Sequence, residues 1–202
     1  MSHTGFIWIL LFFVPYGAIH SYMASIPFKA FLEKRFPQAY QRYYRLFYNV
    51  FSVVTFLPVT VLFTIFPNAG LYKVPGLWSH IMTGGQIVAF ILFVVTLFQT
   101  DMLSFVGLSQ LFVNSPSDKN KKLVTRGFYR FVRHPLYLFA LVFIWLVPGM
   151  SWNVLGFNIG TTLYFLIGIF FEERKLLREF GDVYKQYQKT VPVLLPFIKM
   201  KS

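Results

Sequence analysis

There is no cysteine anywhere in the 202 residues. That removes disulfide cross-links, thiolate-bound metal centres and a cysteine nucleophile, so any sulfur chemistry must take place on a substrate. Charge is scarce as well: Asp, Glu, Lys and Arg make up 13% of the chain, and only 7 residues are acidic. A soluble globule of this size needs more polar surface than that. Apolar side chains fill the chain instead, with 56% hydrophobic residues, 26 Phe and a mean hydropathy of +0.56. This is the composition of an integral membrane protein, its aromatics suited to lipid-facing helices and interfacial belts. A net charge of +12 would point to nucleic acid in a soluble protein. Its distribution along this chain does not, and no nucleic-acid partner is expected.

Apolar runs at 5–22, 46–66, 77–98, 136–147 and 154–171 predict an all-α protein with five transmembrane helices. The first run lacks a basic leader and a clean small-residue cleavage site, so it reads as a spanning helix and not a signal peptide. Pro58 predicts a kink in the second. Between them, Ile26, Phe28 and Phe31 with Lys29, Lys34 and Arg35 fit a short helix lying on the membrane surface. Residues 67–76 read as a turn, 101–108 as interfacial, and 114–126 as the longest polar connection. The last two runs form a helical hairpin, followed by an amphipathic C-terminal helix carrying Leu176, Leu177, Phe180, Tyr184 and Tyr187. The chain thus divides into N-terminal membrane helices, 1–126, and a C-terminal unit, 127–202. Of the 19 Lys and Arg, 18 lie before residue 46, between 119 and 133, or from 174 onward. The positive-inside rule then places the N-terminus outside and the C-terminus in the cytosol.

The hairpin brings Arg133-His134-Pro135-Leu136-Tyr137 and Glu172-Glu173 to one water–lipid boundary. Ionisable groups near hydrocarbon are expensive and mark a site. Plainer roles exist for some of these residues: Arg126, Arg130 and Arg133 fit interfacial anchors, and Tyr137, Tyr184 and Tyr187 fit belt aromatics. His20 and His80 raise haem ligation or a quinone-binding role, against the simpler reading of hydrogen bonds to a neighbouring helix. Gly84-Gly85 and Gly160 fit close helix packing.

Arg133-His134-Pro135-Leu136-Tyr137, Glu172-Glu173, Phe180-Gly181-Asp182-Val183-Tyr184 and Val191-Pro192 together resemble the C-terminal signature of the isoprenylcysteine carboxyl methyltransferase superfamily. The N-terminal part is more similar to its bacterial branches, the methanethiol S-methyltransferases and NnrU-like membrane proteins. The resemblance implies an S-adenosylmethionine-dependent methyltransferase of the bacterial inner membrane. Its acceptor would be a small or lipid-like thiol or carboxylate at the cytosolic face, and no metal is needed. By the same resemblance Arg133 and His134 hold the carboxylate end of the cofactor, and Tyr129, Pro135 and Tyr137 line its pocket. Tyr184 and Tyr187 close the adenine side, Glu173 joins the cofactor-binding set, and Glu172 with Arg133 acts at the reaction centre. On helix phase, Glu172 faces that centre and Glu173 points about 100° away. Two positions depart from the family pattern: Phe139 stands where a small residue is usual, and Val193 where bacterial members often have a basic one. A non-enzymatic NnrU-like accessory role is the alternative, and a haem or quinone carrier a further one.

Overall fold

The computed structural model describes residues 4–100, 106–112 and 123–196. In chain order the helices are α1 (Thr4–Ala24), α2 (Ile26–Arg35), α3 (Pro37–Phe56), α4 (Pro58–Ile65) and α5 (Gly76–Gln99). They are followed by α6 (Ser109–Phe112), α7 (Pro135–Trp145) and α8 (Trp152–Thr190). Four stretches are long and apolar enough to cross a membrane: α1, α3 with α4, α5 and α8. Large apolar side chains on them point outward, among them Val14, Ile87, Phe90 and Ile167. Such exposure needs hydrocarbon around it, not water. The fourth of the five expected crossings, α7, is an apolar helix of only 11 residues.

Local sequence explains the breaks. Pro58 has no N–H to donate, so the expected kink takes the form of a junction between α3 and α4 at Leu57. Ser25 caps α2, its hydroxyl accepting from the Phe28 N–H at 3.4 Å. The expected surface helix at 26–36 and the tail helix are both helical. The tail, however, continues α8 without a loop and is interrupted only at Gly181, where φ is +54° and ψ −127°. Of the connections expected at 101–108 and 114–126, residues 101–105 and 114–122 lie outside the described residues.

The all-α expectation needs one correction. Gly70–Lys73 (β1), inside the expected 67–76 turn, pairs antiparallel with Gly149–Ser151 (β2). The α4–α5 and α7–α8 connections run side by side at one end of the helices, and their backbone groups satisfy each other there.

Helix α1 packs along α8, both running the same way. Gly5 abuts Asn153, Gly156 meets Phe6, Gly160 meets the Phe13 ring and Gly17 meets Tyr164. A core of Ile9, Phe13 and Val59, with Phe56, Phe157 and Tyr164 around it, seals α1, α3, α4 and α8 together. On the other side α7 lies on α5. There Gly85 makes room for a Leu146 methyl, and Gln86 Nε2 donates to the Phe143 carbonyl at 2.9 Å. Gly85 and Gly160 are therefore close-packing positions, while Gly84 faces open space.

Candidate functional site: a carboxylate pair at the end of the helices

Pro135 opens α7, where its missing N–H costs nothing. The residue before a proline is pushed out of helical geometry, and His134 accordingly takes φ −126° and ψ 62°. Backbone bonds from Arg133 N to Pro192 O (2.9 Å) and from His134 N to Val193 O (3.1 Å) pin this corner to the end of the chain. Val193 thus contributes through its carbonyl, which any side chain there would leave intact.

From this corner Arg133 and His134 reach Glu173 on α8. The guanidinium binds the carboxylate with two bonds, Nε to Oε1 at 2.9 Å and Nη2 to Oε2 at 2.8 Å. Its Nη1 donates to the Gln188 and Val191 carbonyls. His134 Nε2 lies 2.7 Å from Glu173 Oε1, the Tyr184 hydroxyl donates to the same oxygen at 2.6 Å, and Gln188 Nε2 donates to Oε2 at 2.8 Å. Burial pushes the Glu173 pKa up, but the bonds from His134, Arg133, Tyr184 and Gln188 outweigh it and hold the carboxyl well below the usual range. Burial, with Glu173 as acceptor, raises the Tyr184 hydroxyl.

Glu172 stands apart. Its side chain is 42% exposed, against 15% for Glu173. The Tyr137 hydroxyl donates to its Oε2 at 3.1 Å, and His134 Nδ1 lies 3.7 Å from the same oxygen. A Cβ on Gly168 would sit 3.8 Å from that tyrosine hydroxyl, so the edge of α8 carrying Gly168 and Glu172 faces Tyr137. The two carboxylates leave the helix in different directions and still meet opposite edges of one imidazole.

Tyr184, Gln188 and Tyr187 arrive because the chain reverses at Gly181. The Tyr187 hydroxyl donates to the Tyr129 carbonyl, which joins the tail to the 3₁₀ turn Gly127–Arg130. Gln99, at the end of α5, supports that turn: its Oε1 accepts from Phe128 N at 2.9 Å and it packs against Gly127, where φ is +62°. Burial and then the Glu172 charge push the Tyr129 phenol up to about 12. Phe139 turns edge-on to Phe128, with ring centroids 5.2 Å apart.

All nine residues singled out in the sequence belong to this one neighbourhood. Gln188 and Gln99 were missed. Gln188 shares the Tyr184 face at helical spacing, which is a signal; Gln99 gives none. His20 is elsewhere, with Nδ1 3.0 Å from Ser52 Oγ and Nε2 3.1 Å from Thr55 Oγ1. Both ring nitrogens thus tie α1 to α3, and His80 is exposed on α5. Among the described residues no group of three metal-binding side chains is found.

The NnrU protein family profile matches residues 6–190. The methanethiol S-methyltransferase of Crocosphaera subtropica is 30% identical over 192 residues, which cover 91% of this chain and 71% of the relative. Methanethiol S-methyltransferase 2 of Bradyrhizobium diazoefficiens is 30% identical over 181 residues, or 88% and 68% of the two chains. The protein-S-isoprenylcysteine O-methyltransferase of Schizosaccharomyces pombe is 30% identical over 154 residues, or 61% and 64%. No solved structure matches the chain.

Proposed function

The chain belongs to the NnrU protein family, in the bacterial branch of the isoprenylcysteine carboxyl methyltransferase superfamily, and from that membership we propose that it is a membrane-embedded, S-adenosylmethionine-dependent methyltransferase acting on a small thiol. The observation that carries this reading is the unequal carboxylate pair. Glu173 is closed off by five hydrogen bonds, whereas Glu172 is a half-open anion beside Tyr137 and Tyr129. An anion next to aromatic rings at the end of apolar helices suits a cationic sulfonium and an apolar acceptor together. The relatives' names favour a thiol over a carboxylate, and favour an enzyme over an accessory protein.

The residues present fit the cofactor. Glu172 would face its cationic part, and Tyr129, Tyr137 and Tyr187 would wall the site. When bound, the cofactor supplies an electrophilic methyl group. We assign Arg133 to building the site, because four hydrogen bonds commit its guanidinium to Glu173 and two carbonyls. His134, Glu173 and Tyr184 belong to the same frame, with Pro135 setting its corner.

In nanodiscs containing the purified protein, labelled S-adenosylmethionine should transfer its label to short alkanethiols. Lack of cofactor binding would remove the enzyme reading. Titration calorimetry gives a second check. Glu172→Gln should weaken S-adenosylmethionine, a sulfonium, about tenfold more than S-adenosylhomocysteine, a neutral thioether, which corresponds to about 1.4 kcal/mol. Equal weakening would place Glu172 away from the sulfur.

Five crossings remain the topology proposed. Helix α7 alone spans about 16 Å, but residues 146–148 carry the chain on to β2, beside the start of α8. With 18 of 19 basic residues before residue 46, between 119 and 133, or from 174 onward in the sequence, the C-terminus and the site face the cytosol of a bacterial inner membrane. Reporter fusions at Lys73 and at the C-terminus should report opposite compartments; a cytosolic Lys73 overturns the arrangement.

A further inference from the structure

The imidazole of His134 lies between two carboxylates of different character, and counting protons around it fixes its tautomer. Glu173, ionised, can only accept hydrogen bonds. It accepts from Arg133 Nε and Nη2, Gln188 Nε2 and the Tyr184 hydroxyl. His134 Nε2, 2.7 Å from Oε1, must therefore carry its proton toward Glu173. A neutral ring then has its lone pair on Nδ1. Among the described residues Nδ1 makes no hydrogen bond; Glu172 Oε2 lies 3.7 Å from it, beyond hydrogen-bond length. Around the ring stand Glu172 and Glu173 from α8, Arg133 beside it, Tyr137 on α7, and Tyr184 from the returning leg of α8.

Resting on the thiol-methylation reading above, we propose that Glu172 and His134 Nδ1 form a two-station proton acceptor for the acceptor thiol, with Glu173 as the fixed carboxylate that orients the ring. A thiol has a pKa of about 8.5 or higher and is nucleophilic only as the thiolate. The S–H bond breaks with its electron pair left on sulfur. The proton goes to the half-open Glu172 carboxylate and, when the 3.7 Å gap closes to hydrogen-bond length in the loaded site, on to Nδ1. The second transfer returns Glu172 to its anionic state, facing the side where the sulfonium would sit. The imidazolium so formed lies between two carboxylates, one of them already compensated by Arg133. A third group orienting a base is the logic of an acid–base triad, here serving a nucleophile that the substrate brings. A carboxylate acceptor would leave the device without a task.

Two measurements test this. Ring-nitrogen NMR of histidine-labelled protein in nanodiscs, without methyl donor, should give His134 with an unprotonated Nδ1 and a protonated Nε2. A proton on Nδ1 at assay pH overturns the proposal. In turnover, Glu172→Gln keeps an acceptor for the Tyr137 hydroxyl but cannot take a proton. It should lose at least about 100-fold with an alkanethiol and much less with an aromatic thiol already ionised at assay pH. An active wild type whose variant loses both acceptors equally overturns the proton acceptor alone. A wild type that binds the donor but is inert toward both thiols overturns the thiol reading itself.

Discussion

Glu173→Gln should unfold the site end of the protein, with a loss of about 3–5 kcal/mol, the magnitude for breaking a buried hydrogen-bonded charge pair from one side. The amide keeps one acceptor oxygen and gains an N–H₂ that faces donors. Whichever way it turns, either the Arg133 Nη2 and Gln188 Nε2 bonds at Oε2 or the bonds at Oε1 from Arg133 Nε, His134 and Tyr184 meet another donor. The Arg133 guanidinium, 8% exposed, is left buried without the carboxylate that paired with it. Denaturation midpoints in mild detergent should fall steeply for Glu173→Gln and hardly at all for Glu172→Gln, whose side chain is half in solvent. Replacing both members, Arg133→Met with Glu173→Met, should cost less than the sum of the single changes, because the double change removes the uncompensated charge as well. Equal midpoints for wild type and Glu173→Gln would show the network to be ornamental.

The pH dependence has a definite sign. The Glu173 carboxyl titrates lower in the folded protein than the ordinary value of about 4.3 for an unfolded chain. Its contribution is therefore fully present above that value and is lost as pH falls through the lower folded one. Between pH 5 and 8, on the order of which most assays run, this term is constant. The wild type should lose stability in stronger acid, and the Gln variant should lack that part of the acid response.

The contrast between Glu172 and Glu173 marks where sequence reading stops. Adjacent positions at a helix end diverge by about 100°, and phase against Gly168 was enough to turn Glu172 toward Tyr137. By the same phase Glu173 points elsewhere, and what meets it there is brought by other segments of the chain. The five donors come from the α7 corner and from the tail, and their convergence depends on a chain reversal that no periodicity reports. The same holds for Arg133. A permanently charged fork before a membrane helix reads as a clamp for a ligand carboxylate, yet a protein carboxylate 40 residues on takes the fork instead. The crossings were legible because hydrophobic length is a direct requirement of the bilayer. The shortness of α7 was not, because residues 146–148 are as apolar as a helix end but turn out of the helix so that 149–151 can pair with β1. His20 was legible only in its plainer reading, since hydroxyls at helical spacing on α3, Ser52 and Thr55, take both of its nitrogens.

The chain reversal rests on one residue, and Gly181→Ala should undo it. At φ +54° and ψ −127° the backbone occupies a region that residues with a Cβ reach only at a cost of about 1–3 kcal/mol. No atom crowds a Cβ at this position, so the penalty is conformational and not steric contact with neighbours. Alanine is also the strongest helix former, and it stands to gain by carrying α8 straight on. In a straight helix Tyr184 would lie about 16 Å and Gln188 about 22 Å along the axis from Glu173. In the folded-back form they touch it at 2.6 and 2.8 Å. Straightening therefore removes two of the donors to Glu173, the Tyr187 bond to Tyr129, and the carbonyls of Gln188 and Val191 that hold Arg133. The four-helix packing above, α1 on α8 and α7 on α5, contains none of these residues and should persist. Limited trypsin digestion reads the difference directly: cleavage after Lys185 and Lys189 should become fast in Gly181→Ala, while circular dichroism stays as helical as wild type and S-adenosylmethionine binding is lost. A variant that resists trypsin at both lysines and binds the cofactor like wild type would mean that the fold-back is held by its side-chain bonds strongly enough to bear the strain, and that Gly181 is not its hinge.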